Sequence, residues 1–196
     1  MNPMTKAVAV ALIQLLIVCS LGGKLLYDRS TRPRAWFKTE KYDPNMPIRG
    51  RYVWLQVEVN DPLSPEEVKK KFKGEIEMYE SRNAKLRTQS FYQFGQECGK
   101  LEVRAEIPVP IFEEGFAAWN CPDLEFTRRR MGERMVLQLV EPMVFFISDT
   151  AQDPTRRPNG EELWVLATIP RKGPPRPLVL GVKKPGETTI TPLNLN

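Results

Sequence analysis

The chain has 196 residues, a formal net charge of +5, 18 prolines and no histidine. A chain of this length accommodates one folded domain with an additional segment, and two complete domains are not expected. The absence of histidine removes the usual neutral-pH general base and the commonest transition-metal ligand, which argues against His-dependent catalytic triads and typical zinc sites.

The first predicted element is a transmembrane helix over residues 7–27, which follows a short N-terminal tail of residues 1–6. The run is rich in Ala, Val, Leu and Ile, and Lys24 is its one charged residue. Because a lysine can snorkel to the headgroups, the run reaches the length of about 20 residues that a membrane span needs. The alternative is a signal peptide cleaved before Gly23, which would release a secreted domain. We interpret the run as a retained single-pass anchor.

Residues 28–48 are predicted to form a basic, Pro-rich juxtamembrane linker. The whole excess of positive charge lies in residues 1–41, and the rest of the chain is balanced. A basic cluster beside an apolar helix favours anionic lipid headgroups over nucleic acid, which would need a basic patch on the folded domain. The side chains expected to contact the headgroups are Lys24, Arg29, Arg32 and Arg34. By the positive-inside rule alone, this flank would place the domain in the cytoplasm.

A single globular domain is predicted over residues 49–184, beginning with a glycine turn and a strand. Over residues 51–59 apolar side chains alternate with larger, mostly polar ones, as in a strand with one face in the core. The predicted core face holds Val53, Leu55, Val57 and Val59. Aromatic side chains on a wet face are favoured interface anchors, although Trp54 alternatively packs beneath the following helix. The candidate functional turn comprises Arg49, Gly50, Arg51, Tyr52, Trp54 and Leu55.

This segment resembles the signature of the GDYXXLXY family, membrane-anchored bacterial proteins of unknown function. The match is carried by residues 50–57, preceded by the run from Lys38 to Pro44, and a second similar block covers residues 145–184. Arg51 stands where the signature has Asp, and Val57 where it has a second Tyr. The positions that agree with the signature are Gly50, Tyr52 and Leu55.

The resemblance implies a protein of the bacterial inner membrane with a short cytoplasmic N-terminus and a periplasmic domain that assists a multi-pass membrane protein. We follow it over the charge rule. On an exported domain, Cys98 and Cys121 are able to form a disulfide that stabilises the fold by roughly 3 kcal/mol. The alternative of two buried free thiols stays open.

After the first strand, the pattern predicts one packed helix and several short strands. Ser64 and Glu67 form a capping box before an apolar stripe that includes Phe72. Residues 128–130 are interpreted as a solvated turn or strand edge rather than a binding patch. Further strands are predicted over 101–107, 134–140, 143–147, 163–169 and 178–182, a loop over 112–123, and a flexible tail over 185–196. This predicts a mainly β fold of the α+β type, an antiparallel sandwich or partly open barrel.

Two classes of function are compatible with these elements. The first is a non-enzymatic, exported interaction module for another membrane protein. The second is a membrane-anchored hydrolase that uses Ser30 and a desolvated lysine, but the lysines of the chain lie in contexts typical of solvated side chains. Carboxylate pairs at 113–114 and 161–162 have no neighbouring ligands at a recognisable spacing. No catalytic residue, metal or cofactor is therefore predicted.

Overall fold

The computed structural model describes residues 3–42, 52–86, 93–113, 115, 120–131, 134–148, 150–158 and 160–195. The chain divides into two compact units, Met1–Pro33 and Arg34–Asn196. The domain thus begins at Arg34, and the predicted linker over residues 28–48 is corrected, because part of it belongs to the folded unit.

The first unit is a single helix, α1 (Pro3–Thr31). Its span Met4–Thr31 is long and apolar enough to cross a membrane, and near an N-terminus the same composition is also that of a signal sequence. The helix continues past the predicted end at residue 27. Arg32 reaches back to the Asp28 carboxylate at 2.9 Å, and Pro33 follows, where a helix is expected to end.

The second unit is a curled antiparallel half-barrel sheet. Within the described residues its ten strands run in the order β10-β9-β8-β1-β2-β6-β5-β3-β4, and β7 also pairs with β2. The strands are β1 (Arg34–Tyr42), β2 (Tyr52–Val59), β3 (Gln93–Arg104), β4 (Ile107–Phe112), β5 (Leu124–Met131), β6 (Arg134–Leu139), β7 (Met143–Phe146), β8 (Glu162–Thr168), β9 (Arg176–Lys183) and β10 (Thr191–Pro192). Because β4 returns to contact β1 and β2, the sheet closes partly on itself. The predicted mainly β, partly open barrel is confirmed.

The concave face of the sheet holds the main hydrophobic core. On β2, the four residues predicted to face the core are all buried, which confirms the core face read from the sequence. Gln56, on the opposite face, is also buried and donates to the Leu139 carbonyl. Their partners come from strands on both sides of β2, including Phe37 of β1, Leu137 of β6 and Val165 of β8. Burial of apolar surface on this one face is the main stabilising contribution to the unit.

Two short helices, α2 (Pro65–Lys71) and α3 (Lys73–Leu86), follow β2. The predicted capping box is confirmed, since the Ser64 amide donates to the Glu67 carboxylate at 2.8 Å while Ser64 Oγ accepts from the Glu67 amide at 3.3 Å. The predicted single helix is interrupted at Phe72, which caps α2 with φ −109°. A second hydrophobic cluster joins the helices to the sheet and contains Val68, Phe72, Ile76 and Phe94.

The interpretation of residues 128–130 as a solvated turn or strand edge is wrong for Arg128. It lies on β5, which is paired with both β3 and β6, and its side chain is fully buried rather than at a solvated edge. The guanidinium contacts Asp61 at 2.6 and 3.0 Å and Glu97 at 2.5 Å. Its centre also lies 4.8 Å from the Phe72 ring and 5.5 Å from the Phe112 ring. One cation thus links the two hydrophobic clusters.

The predicted strand over residues 101–107 is split by a turn. Ala105 and Glu106 have φ of 50° and 64°, conformations that side-chain alternation does not reveal. Pro108 and Pro110 lie within β4. The missing N–H groups are tolerated because β4 ends the strand order and both prolines occupy positions that do not donate to β3.

The predicted flexible tail over residues 185–196 is also corrected. Thr191 and Pro192 form β10 against β9, and the Leu193 amide donates to the Leu180 carbonyl at 2.8 Å. Leu193 and Leu195 pack against the main core. Apolar side chains at alternating positions therefore attach this segment to the sheet.

Candidate functional site

The predicted functional turn is only partly described by the structure. Arg49, Gly50 and Arg51 lie outside the described residues. Leu55 is fully buried in the main core, so its role is packing and it offers no contact surface. Tyr52 and Trp54 point to the convex, outer face of the sheet, where both are half-buried.

An aromatic patch forms on this outer face at the start of β2, made of Tyr52, Trp54 and Phe146. Strand pairing sets Tyr52 opposite Phe146, with ring centres 6.2 Å apart in an edge-to-face arrangement. The Trp54 ring lies 6.2 Å from the Tyr52 ring and completes the patch. Phe146 is 78% exposed, so one ring of the patch is largely open to solvent.

A second outer-face feature is a cleft of about 510 Å³, which we call the tryptophan cleft. Its volume lies in the range of small-molecule sites, roughly 300 to 1,000 Å³. The residues that line it are Trp36, Lys38, Glu58, Val59, Asn60, Asp61, Glu106, Ile107, Pro108, Arg134, Met135, Val136, Leu137 and Trp164. Two indoles and several charged side chains therefore share one concavity.

Strand register brings the two tryptophans to this face. Ala35 and Phe37 of β1 point into the core, so Trp36 and Lys38 point outwards. Lys38 is paired with Trp164 of β8, which places both indoles on neighbouring strands. A Cβ atom at Gly181 of β9 would lie 2.9 Å from the Trp36 ring, so the glycine provides the space that this indole occupies.

Glu162 holds the polar edge of the tryptophan cleft in place. Its carboxylate accepts from Lys38 Nζ at 2.5 Å and from Trp164 Nε1 at 3.3 Å. The hydrogen bond from Lys38 lowers the pKa of Glu162, against the opposing effect of burial. Lys183 Nζ lies 5.7 Å from the centre of the Trp164 ring. Trp164 is thus oriented by one carboxylate and accompanied by one cation.

The charged form of the Glu58 carboxylate is disfavoured in the cleft. Burial raises the pKa of Glu58 above its ordinary value, and the nearby Glu40 carboxylate adds to the rise. Lys38 and Arg134 act in the opposite direction without cancelling the effect. A partly desolvated carboxyl group beside two cations is suited to exchanging hydrogen bonds with a polar ligand.

The remaining predicted residues belong to neither of these two features. Lys24 and Arg29 are on α1, and Arg34 begins β1. Cys98 and Cys121 form a disulfide with their Cα atoms 5.5 Å apart.

The residue proposed for the hydrolase alternative sits within a helix. Ser30 Oγ donates to the Tyr27 carbonyl at 2.9 Å, the usual local bond of a helical serine. In the part of the chain that the structure describes, no group of three or more Cys, Asp or Glu side chains is placed to hold a metal ion.

Sequence reasoning missed the tryptophan cleft, although part of its signal was present. Residues 34–40 alternate as a strand does, but they were assigned to the linker because of their positive charge. Trp164 was placed on a predicted strand without a neighbour for its side chain. The pairing of β1 with β8 joins residues more than a hundred positions apart, which no local pattern predicts.

No protein-family model, curated protein or solved structure matches this chain. Its likeness to the GDYXXLXY signature remains a resemblance carried by residues 50–57. Inferences about function therefore rest on the aromatic patch, the tryptophan cleft and the apolar N-terminal helix.

Proposed function

We propose that this chain is a single-pass protein of the bacterial inner membrane whose periplasmic, non-enzymatic domain binds a multi-pass membrane protein. The apolar helix α1 supports the anchor, and the basic residues beside it suit anionic lipid headgroups. The Cys98–Cys121 disulfide supports export, because disulfides persist in oxidising compartments. The domain acts by contact and needs no cofactor.

The observation that carries the proposal is the aromatic patch. Tyr and Phe side chains clustered on an exposed sheet face are the residue types that anchor interfaces, since they bury a large area with little loss of side-chain freedom. Phe146, at 78% exposed, would be the side chain that gains most from burial against a partner. Two residues of the patch, Tyr52 and Trp54, lie within residues 50–57, the segment that carries the resemblance to the family signature.

Site-specific photo-crosslinking in intact cells tests the proposal. A photoreactive phenylalanine analogue at Phe146 of the full chain is expected to give a discrete product containing a multi-pass membrane protein. The matched control places the analogue at Ile107, another apolar side chain, which is 48% exposed on β4. The same products from both positions, or products of the chain with lipid alone, would contradict an interface at the patch.

A second experiment addresses the side of the membrane. Protease added to cells with a permeabilised outer envelope should digest the domain and leave α1 membrane-bound. Complete protection would place the domain in the cytoplasm, in agreement with the positive-inside rule, and would remove the periplasmic part of the proposal.

A further inference from the structure

We propose that the tryptophan cleft is a binding site for a neutral saccharide, which stacks on the two indoles and hydrogen-bonds to the charged side chains around them. The aromatic patch takes no part in this site, so the inference goes beyond the protein-binding role proposed above.

The apolar part of the site is formed by Trp36 and Trp164. Both are half-buried, so each indole is supported by the sheet and still presents surface to the cleft. A flat, rigid indole matches the C–H face of a pyranose ring, and its contact costs little conformational entropy. Glu162 fixes Trp164 through Nε1, and the close approach of Trp36 to Gly181 fixes the other indole. The two aromatic surfaces are therefore preorganised.

The polar part of the site decides the class of ligand. Donors are supplied by Lys38, Arg134 and Asn60, and acceptors by Glu58 and Glu106. The lining carries two cations and three carboxylates, and Arg128 neutralises one of these carboxylates, that of Asp61, so neither sign is in clear excess. A phosphate or a metal ion would require such an excess. Hydroxyl groups, which donate and accept at once, satisfy both kinds of side chain without a net charge.

The site is distinct from the structural ion pairs of the domain. Asp61 also lines the cleft, but its carboxylate is held by Arg128. Lys38 is bound to Glu162 and contributes its remaining donors at the edge. Arg134, by contrast, is an exposed side chain at the start of β6. It can therefore be replaced without disturbing the core.

The test uses the full chain in lipid nanodiscs, since alkyl glycoside detergents would themselves compete for a sugar site. Saturation-transfer NMR is recorded with three probes, cellotetraose, maltotetraose and the tetramer of N-acetylglucosamine, at up to about 10 mM. For at least one probe, the saturation transferred to its ring protons is expected to reach a plateau as the probe concentration rises. Preference for the N-acetylglucosamine tetramer indicates a cell-wall polymer as source, and preference for either glucose oligomer indicates a diffusible sugar.

Three variants separate the cleft from the rest of the outer face. Trp164→Leu should weaken binding about tenfold or more, as expected for loss of one stacking surface. Arg134→Gln removes an exposed donor and should weaken binding severalfold in a chain that folds normally. Trp54→Ala, which alters the aromatic patch on the same face, is the matched control and should leave binding unchanged.

The proposal is overturned by any of three results. The first is that no probe receives saturable transfer from the wild-type chain. The second is that Trp54→Ala weakens binding as much as Trp164→Leu does. The third is that inorganic phosphate displaces the sugar competitively. The third result would show that the cations of the cleft bind an anion instead. Should Trp164→Leu fail to fold, Arg134→Gln alone still decides, since unchanged binding in that variant would contradict a sugar held by the cleft's charged rim.

Discussion

Replacing Arg128 with methionine tests whether one buried cation joins the two hydrophobic clusters. Methionine has a similar length and keeps apolar contact with Phe72 and Phe112. It removes the donors to Asp61 and Glu97, whose side chains are only 17% and 15% exposed. Burial alone would lower the pKa of the Arg128 guanidinium, but its hydrogen bonds to Asp61 and Glu97 outweigh that effect and raise it. The charge of Arg128 is therefore strongly favoured in the folded domain.

The expected loss of stability follows mainly from Asp61, which loses its guanidinium partner, whereas Glu97 keeps its contact with Lys71 at 2.6 Å. Removing one partner of a buried ion pair costs about 3 to 5 kcal/mol, because the other partner stays desolvated and uncompensated. Typical domains are stable by only about 5 to 15 kcal/mol. With a urea dependence of about 2 kcal/mol per molar, the unfolding midpoint of Arg128→Met should fall by about 2 M.

Urea unfolding of the full chain in nonionic detergent, followed by near-UV circular dichroism, measures this loss. The matched control is the triple variant Arg128→Met, Asp61→Asn, Glu97→Gln, which removes the carboxylates as well. It should recover more than half of the lost stability, because neutral side chains lose less on burial than unpaired charges. A loss below about 1 kcal/mol in the single variant, or no recovery in the triple variant, would refute this account.

Three further predictions concern single residues. Glu58→Gln should raise the unfolding free energy at pH 7 and change it little at pH 4. The pKa of Glu58 is raised in the folded domain, so wild-type stability falls as the pH rises above the ordinary pKa of 4.5. Parallel pH profiles of the unfolding free energy for the two chains would contradict this prediction. Cys98→Ser should lower the unfolding free energy by about 3 kcal/mol, the chain-entropy value for a 23-residue separation, and a reductant should then have no further effect on the variant. Leu55→Ala should cost about 2 to 5 kcal/mol in thermal or urea unfolding, whereas Tyr52→Ser on the opposite face should cost much less.

Some elements could be read from the sequence because their signals are local. The strand β2 shows its burial by alternation over eight residues, and the start of α2 shows its cap by Ser64, Pro65 and Glu67 within four positions. The strands predicted over 163–169 and 178–182 are likewise observed as β8 and β9, which pair with each other. In each case the residues that determine the structure are near neighbours in the chain.

Other elements could not be read because their determinants are distant. Arg128 looks solvated in its own sequence context, and it is buried only because Asp61 and Glu97, 67 and 31 positions away, neutralise it. The turn at Ala105–Glu106 uses positive φ at residues that carry no glycine signal. Charge also misled the interpretation of β1, since Arg34 and Lys38 lie on an outer strand face and not in a linker.

The candidate sites show the same division between local and distant information. Tyr52 and Trp54 were singled out from the sequence, but Phe146 joins them only through the pairing of β2 with β7. In the tryptophan cleft, Trp36 and Trp164 meet only because β1 pairs with β8. Sequence patterns therefore identified individual outward side chains, and sheet topology was needed to assemble them into surfaces.

The two outer-face features lie at opposite ends of the β1–β2 pair. Tyr42 of β1 is opposite Trp54, and Trp36 precedes Tyr42 by about six residues, a distance of about 20 Å along a strand. Substitutions separated by more than roughly 10 Å that share no partner have nearly additive effects. A partner protein at the aromatic patch and a saccharide in the tryptophan cleft therefore need not compete. Variants of either feature can serve as folded controls for the other, so the two proposed functions can fail independently.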